Sequence, residues 1–106
     1  MAISTQSISK YGRNKADDAA AFDQQISRLD DDIRKLKIDF DIYFSGTSKR
    51  PPLEARARLD AFIRRMSDNR TMSYAQRYQL SMLVSRYTSY RELWRRSLRA
   101  KGEDLG

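Results

Sequence analysis

The sequence predicts an all-α fold: an antiparallel, coiled-coil-like helical hairpin of two long helices with a short helix between them. Two apolar patterns and two breaks predict it. Phe22, Ile26, Leu29, Ile33, Leu36, Phe40 and Tyr43 recur at alternating intervals of four and three, the a and d positions of a heptad run. Leu80, Leu83, Tyr87, Tyr90 and Trp94 recur at intervals of three and four, which is again one stripe of a helix and no single face of a strand. Between them, the stretches from Ser45 to Pro52 and from Ser67 to Asn69 interrupt the periodicity with turn-forming residues.

Taken in order, residues 1–16 are polar and aperiodic, with Lys10, Arg13 and Lys15 as their charges, and are expected to form a disordered basic tail. A single helical domain is expected over 17–101, with helices at about 17–44, 52–66 and 70–100 and a frayed tail at 102–106. Asp17 and Asp18 stand where carboxylates favour a helix N-terminus, and Ser45 with Gly46 supplies the stop. Ile38 and Ile42 add a second apolar strip, so that end of the first helix is expected to be buried on more than one side. Pro51 and Pro52 suit the first turn of the second helix. Its stripe is Ala55, Leu59, Phe62 and Met66, with Ile63 beside it. Ser73 followed by Gln76 reads as a capping box opening the third helix. The short helix is expected to fold across the end from Phe40 to Phe44. An up-down-up bundle is the other arrangement compatible with the pattern, and loop lengths alone do not choose between them.

Composition narrows the chemistry. The chain of 106 residues has neither Cys nor His, which removes thiol nucleophiles, thiolate metal sites and imidazole acid–base catalysis. There is no glycine-rich phosphate loop. Asp30, Asp31 and Asp32 project about 100° apart on a helix and cannot converge on one ion. The expectation is therefore no enzyme, no cofactor, no metal and no small-molecule substrate. No apolar run reaches the ~20 residues that cross a bilayer, and no signal-peptide pattern opens the chain, so a soluble, cytoplasmic protein with no membrane role is expected. The net charge is +7, and it is unevenly placed: residues 17–44 are net acidic, while the segments on either side are basic. Such a balance attracts polyanions.

Two constellations on the third helix are candidates for function. Tyr74, Tyr78, Met82 and Leu93 lie on the side away from the Leu80 to Trp94 stripe, in company with Ser85 and Ser89. Aromatic, thioether and small side chains on a second face suit contact with a protein partner or another copy of the chain. Arg70, Arg77, Arg91, Arg95 and Arg99 project within about 80° of one another, a ridge able to follow a phosphate backbone. The first reading is therefore a non-enzymatic helical interaction module. The alternative is a nucleic-acid-binding protein, for RNA or DNA, that uses the Arg ridge. Acidic flanks on the first seam and basic flanks on the third also allow some of these Arg to be paired within the chain.

The string from Phe40 to Gly46, Arg50-Pro51-Pro52 with Arg56 and Leu59, Arg77-Tyr78, and Arg86-Tyr87 with Tyr90 and Trp94 together resemble a small helical domain of unknown function. That domain occurs at the C-terminus of uncharacterised myxobacterial and related bacterial proteins. The resemblance covers about residues 25–98, and its most specific parts are the Arg-Pro-Pro connector and the Arg86 to Trp94 segment. It implies an all-α fold and a bacterial source, and it supplies no activity.

Overall fold

The computed structural model describes residues 15–102, and within them the chain forms three helices and no strand: α1 (Lys15–Phe44), α2 (Leu53–Ser67) and α3 (Tyr74–Ala100). The expected tail over 1–16, apart from Lys15 and Ala16 at the start of α1, and the expected frayed end beyond Gly102 lie outside the described residues.

Each helix is bounded by local chemistry. At the end of α1, Gly46 has φ +89°. The Gly46 N–H donates to the Tyr43 carbonyl at 3.0 Å and the Thr47 N–H to the Ile42 carbonyl at 3.3 Å, the paired bonds of a Schellman stop. Gly46 meets that left-handed turn without the steric cost a Cβ would bring. The two prolines fall just before α2, with Pro52 at its N-cap and no side chain capping the first turn. In the next connector, Asn69 Oδ1 accepts from the Thr71 N–H at 2.8 Å and from its hydroxyl at 2.7 Å. This turn delays α3 to Tyr74 rather than residue 70 and leaves Arg70 off the helix. Ser73 and Gln76 form a reciprocal capping box there.

The core is a continuous cluster. All seven heptad residues of α1 are buried, as are Leu59 and Met66 of α2 and Leu80, Leu83, Tyr87, Trp94 and Leu98 of α3. Burial of each such side chain contributes ~1.5–3 kcal/mol. Trp94 is its centre. The indole stacks on Phe40 with centroids 4.2 Å apart, is flanked by Tyr90 at 5.8 Å and meets the edge of Tyr87 at 6.1 Å.

Contacts between α1 and α3 fix their relative direction and overturn the antiparallel hairpin. Gln76 meets Ala19 and Asp23, Arg86 meets Asp30, Lys37 lies over Tyr90, Phe40 stacks on Trp94, and Lys101 lies over Tyr43. The numbers rise together on both helices, so α1 and α3 are parallel. The short helix is the return stroke. Phe62 lies under Arg28 of α1, and a groove between the two helices carries Asp39 and Ala55 as well as Arg28 and Phe62, so α2 runs alongside α1 in the opposite sense and does not cap its Phe40 to Phe44 end. The reason is reach: a 15-residue α2 spans ~22 Å, enough, with the connector after it, to carry the chain back to the start of α1. Ile38 and Ile42 remain 56% and 41% exposed, so the second apolar strip of α1 is covered by neither neighbouring helix.

Candidate functional site

Three surfaces of this bundle carry chemistry: the α1–α2 groove, the α2–α3 cleft and the outer side of α3. The first is a trough of about 530 Å³ floored by Leu36, Ala55, Leu59 and Phe62 and rimmed by Arg28, Lys35, Arg58, Arg65, Asp32 and Asp39. The Arg28 and Arg65 guanidinium groups lie 5.7 and 5.8 Å from the Phe62 ring centroid, within cation–π range. Asp32 answers Arg28 at 3.8 Å. The α1 side of this rim therefore alternates in sign, through Arg28, Asp32, Lys35 and Asp39, while its α2 side is basic, with Arg58 and Arg65.

The α2–α3 cleft, about 440 Å³, holds Asp60, Arg64, Arg91, Glu92 and Arg95 around Ile63, Val84, Tyr87 and Thr88. Asp60 is its hub. It accepts the Tyr87 hydroxyl at 2.6 Å and faces Arg91 at 3.6 Å. Burial first, and then this hydrogen bond to a carboxylate, push the Tyr87 phenol well above its ordinary pKa, because both disfavour the phenolate. Arg56 Nε is buried beside this group without a hydrogen-bond partner among the described residues, while the Arg56 carbonyl lies 3.4 Å from the Tyr87 hydroxyl.

The Arg ridge does not survive as one surface. Arg70 precedes α3. Arg91 is held by Asp60 of α2. Arg95 is bound by both carboxylate oxygens of Glu92, its Nε at 3.3 Å, and that hydrogen bond, ahead of the nearby charges of Arg96 and Arg99, holds the Glu92 carboxyl below its usual range. Arg77 remains exposed with no ion pair among the described residues. Of the acidic residues on α1, Asp30 takes both Arg34 at 3.2 Å and Arg86 at 3.3 Å. The Asp30 to Asp32 run diverges accordingly, and no cluster of carboxylates suited to a metal occurs among the described residues.

The outer side of α3 keeps all four predicted residues in solvent. Tyr74 is 91% exposed, Tyr78 64%, Met82 53% and Leu93 50%. Ser85 and Ser89 between them are exposed too. They share a face because the intervals from Tyr74 through Met82, the serines and Leu93 are all three or four residues. The core stripe of the same helix occupies the opposite side. Two features escaped the sequence reading. Arg96 stands one turn beyond Leu93, and Ile38 on α1, at the height of the Phe40–Trp94 contact, is exposed rather than buried. The first was legible from spacing alone; the second depends on which side of α1 the other helices leave open.

No described helix is long and apolar enough to cross a membrane. Comparison with family models, with curated proteins and with solved structures finds no match to the chain.

Proposed function

We propose that this protein is a non-enzymatic helical interaction module that binds a protein partner through the outer face of α3. The observation that carries this reading is the exposure of Tyr74, Tyr78, Met82 and Leu93 on the side of α3 opposite its buried stripe. A helix apolar on two sides has more contact surface than its own chain covers. Met and Tyr suit such a contact, since one adapts its shape and the other offers area with a polar tip. The carboxylates set among the basic residues of both interhelical grooves, Asp32 and Asp39 in one and Asp60 and Glu92 in the other, support the same choice, because they interrupt the positive charge that a phosphate backbone would follow.

Affinity capture of the tagged chain and of Met82→Asp, with and without nuclease and at two salt concentrations, tests the proposal. Protein partners that persist through nuclease and high salt with the native chain, and vanish with Met82→Asp, are the expected result. Captured nucleic acid that is lost at high salt and unaffected by Met82→Asp counts against it. The second reading, nucleic-acid binding, keeps one observation in its favour: Arg77, without an ion pair among the described residues, adjoins exposed Tyr74 and Tyr78, an aromatic and cationic pairing that single strands use. A cytoplasmic setting fits a chain without cysteine.

A further inference from the structure

We infer that the partner segment docking on the outer face of α3 is an acidic amphipathic helix laid along it; this rests on the reading of that face as a protein-binding surface. Shape comes first. Tyr74, Tyr78, Met82, Ser85, Ser89 and Leu93 form one exposed line, and its ends are ~28 Å apart, a helix-length contact. Large side chains at both ends with two serines between them make a shallow saddle, and ridges of a second helix settle into such a depression.

Charge then selects the occupant. Between Tyr74 and Ala100 there are six Arg and one acidic residue, Glu92. That carboxylate already serves Arg95 and feels Arg96 and Arg99. Arg77 has no ion pair among the described residues. On the helix, Arg77 and Arg99 flank one side of the apolar line and Arg96 lies beside Leu93, while Arg86 on the other side is already held by Asp30. Positive charge left over next to an apolar strip is matched by carboxylates flanking the apolar stripe of an incoming helix. A second copy of this chain docking through the same face would set the same Arg against one another. A nucleic-acid strand would meet Met82 and Leu93 where it needs further stacking platforms.

Selection of displayed helical peptides of about 20 residues, the length of the face, against the whole chain and against Arg77→Glu/Arg96→Glu reads this charge preference directly. Peptides recovered on the native chain are expected to carry an apolar stripe with an excess of Asp and Glu. Their binding should fall about tenfold or more on Met82→Asp, the loss typical of a central contact residue, with an unchanged helical spectrum. The charge-reversed chain should recover Lys- and Arg-rich peptides instead. Recovered peptides without an acidic excess, or with the same charge preference on both chains, overturn the inference, yet leave the face itself standing if Met82→Asp abolishes their binding. Peptides indifferent to Met82→Asp overturn both. Failure to recover any peptide also overturns it, whether or not a single-stranded oligonucleotide or a vesicle of anionic phospholipid binds in their place.

Discussion

Trp94 shows how much one residue organises. It is 1% exposed and touches aromatic rings from both α1 and α3, so truncation removes packing on two elements at once. Trp94→Ala is expected to cost ~3–5 kcal/mol in denaturant unfolding, while Trp94→Phe, which keeps a ring, costs less. Tyr87 offers a test of a different kind. Its pKa is raised by burial and by Asp60 from an ordinary 10.0, so the folded state favours the neutral phenol. Its stabilising contribution is complete below pH 10.0, the value in the unfolded chain, and is lost as the pH rises from there through the raised folded value. Thermal melts on either side of that pH should show Tyr87→Phe losing less stability on alkalinisation than the native chain does. If both chains decline in parallel, the phenol is not protected by its surroundings.

At the scale of elements, Gln76 joins a local signal to a tertiary one. Its backbone N–H and side-chain carbonyl oxygen close the capping box with Ser73, while its amide nitrogen donates to the Ala19 carbonyl at 3.0 Å and to Asp23 at 2.8 Å. The chain spacing announced the first role, and nothing in it announced the second, because the partners lie more than fifty residues away. Ser73→Ala should cost ~1 kcal/mol, the usual loss of a cap. Gln76→Ala should cost more, since it also leaves Asp23 and a carbonyl without their donor, and chemical denaturation of the two variants ranks them. The helices themselves were legible for a simple reason. An a/d stripe is a statement about one helix and its own solvent boundary, and every heptad residue of α1 is buried. Ile38 and Ile42 were misjudged for the complementary reason: two apolar residues off the stripe are buried only if a neighbour arrives on that side.

For the whole molecule, direction was the illegible quantity. A heptad seam reads the same from either end, so the pattern on α1 and α3 is equally compatible with parallel and antiparallel pairing. What decides is the path between them, and α2 with its connectors is long enough to bring the chain back to the beginning. Spin labels at Ser27→Cys and Gln79→Cys should therefore lie close together. Labels at Ser27→Cys and Ala100→Cys should be separated by about 30 Å, the rise of some twenty helical residues. The reverse ordering would restore the hairpin. The outer face of α3 was legible because a second stripe on one helix is visible in spacing. The pairing of Arg95 with Glu92, three residues before it on the same helix, was readable in the same way, but the capture of Arg91 was not, because Asp60 reaches it only once α2 lies beside α3.

The parallel pairing of α1 and α3 also has a mechanical side. The chain enters the bundle at Lys15 beside the start of α3 and leaves at Gly102 beside the end of α1, so the two exits point in opposite directions. Whatever is joined to these ends and pulled apart draws α1 and α3 past each other along their shared length. The whole seam from Phe22 to Tyr43 bears that load at once, where a hairpin with adjacent ends would open one contact at a time, like a zip.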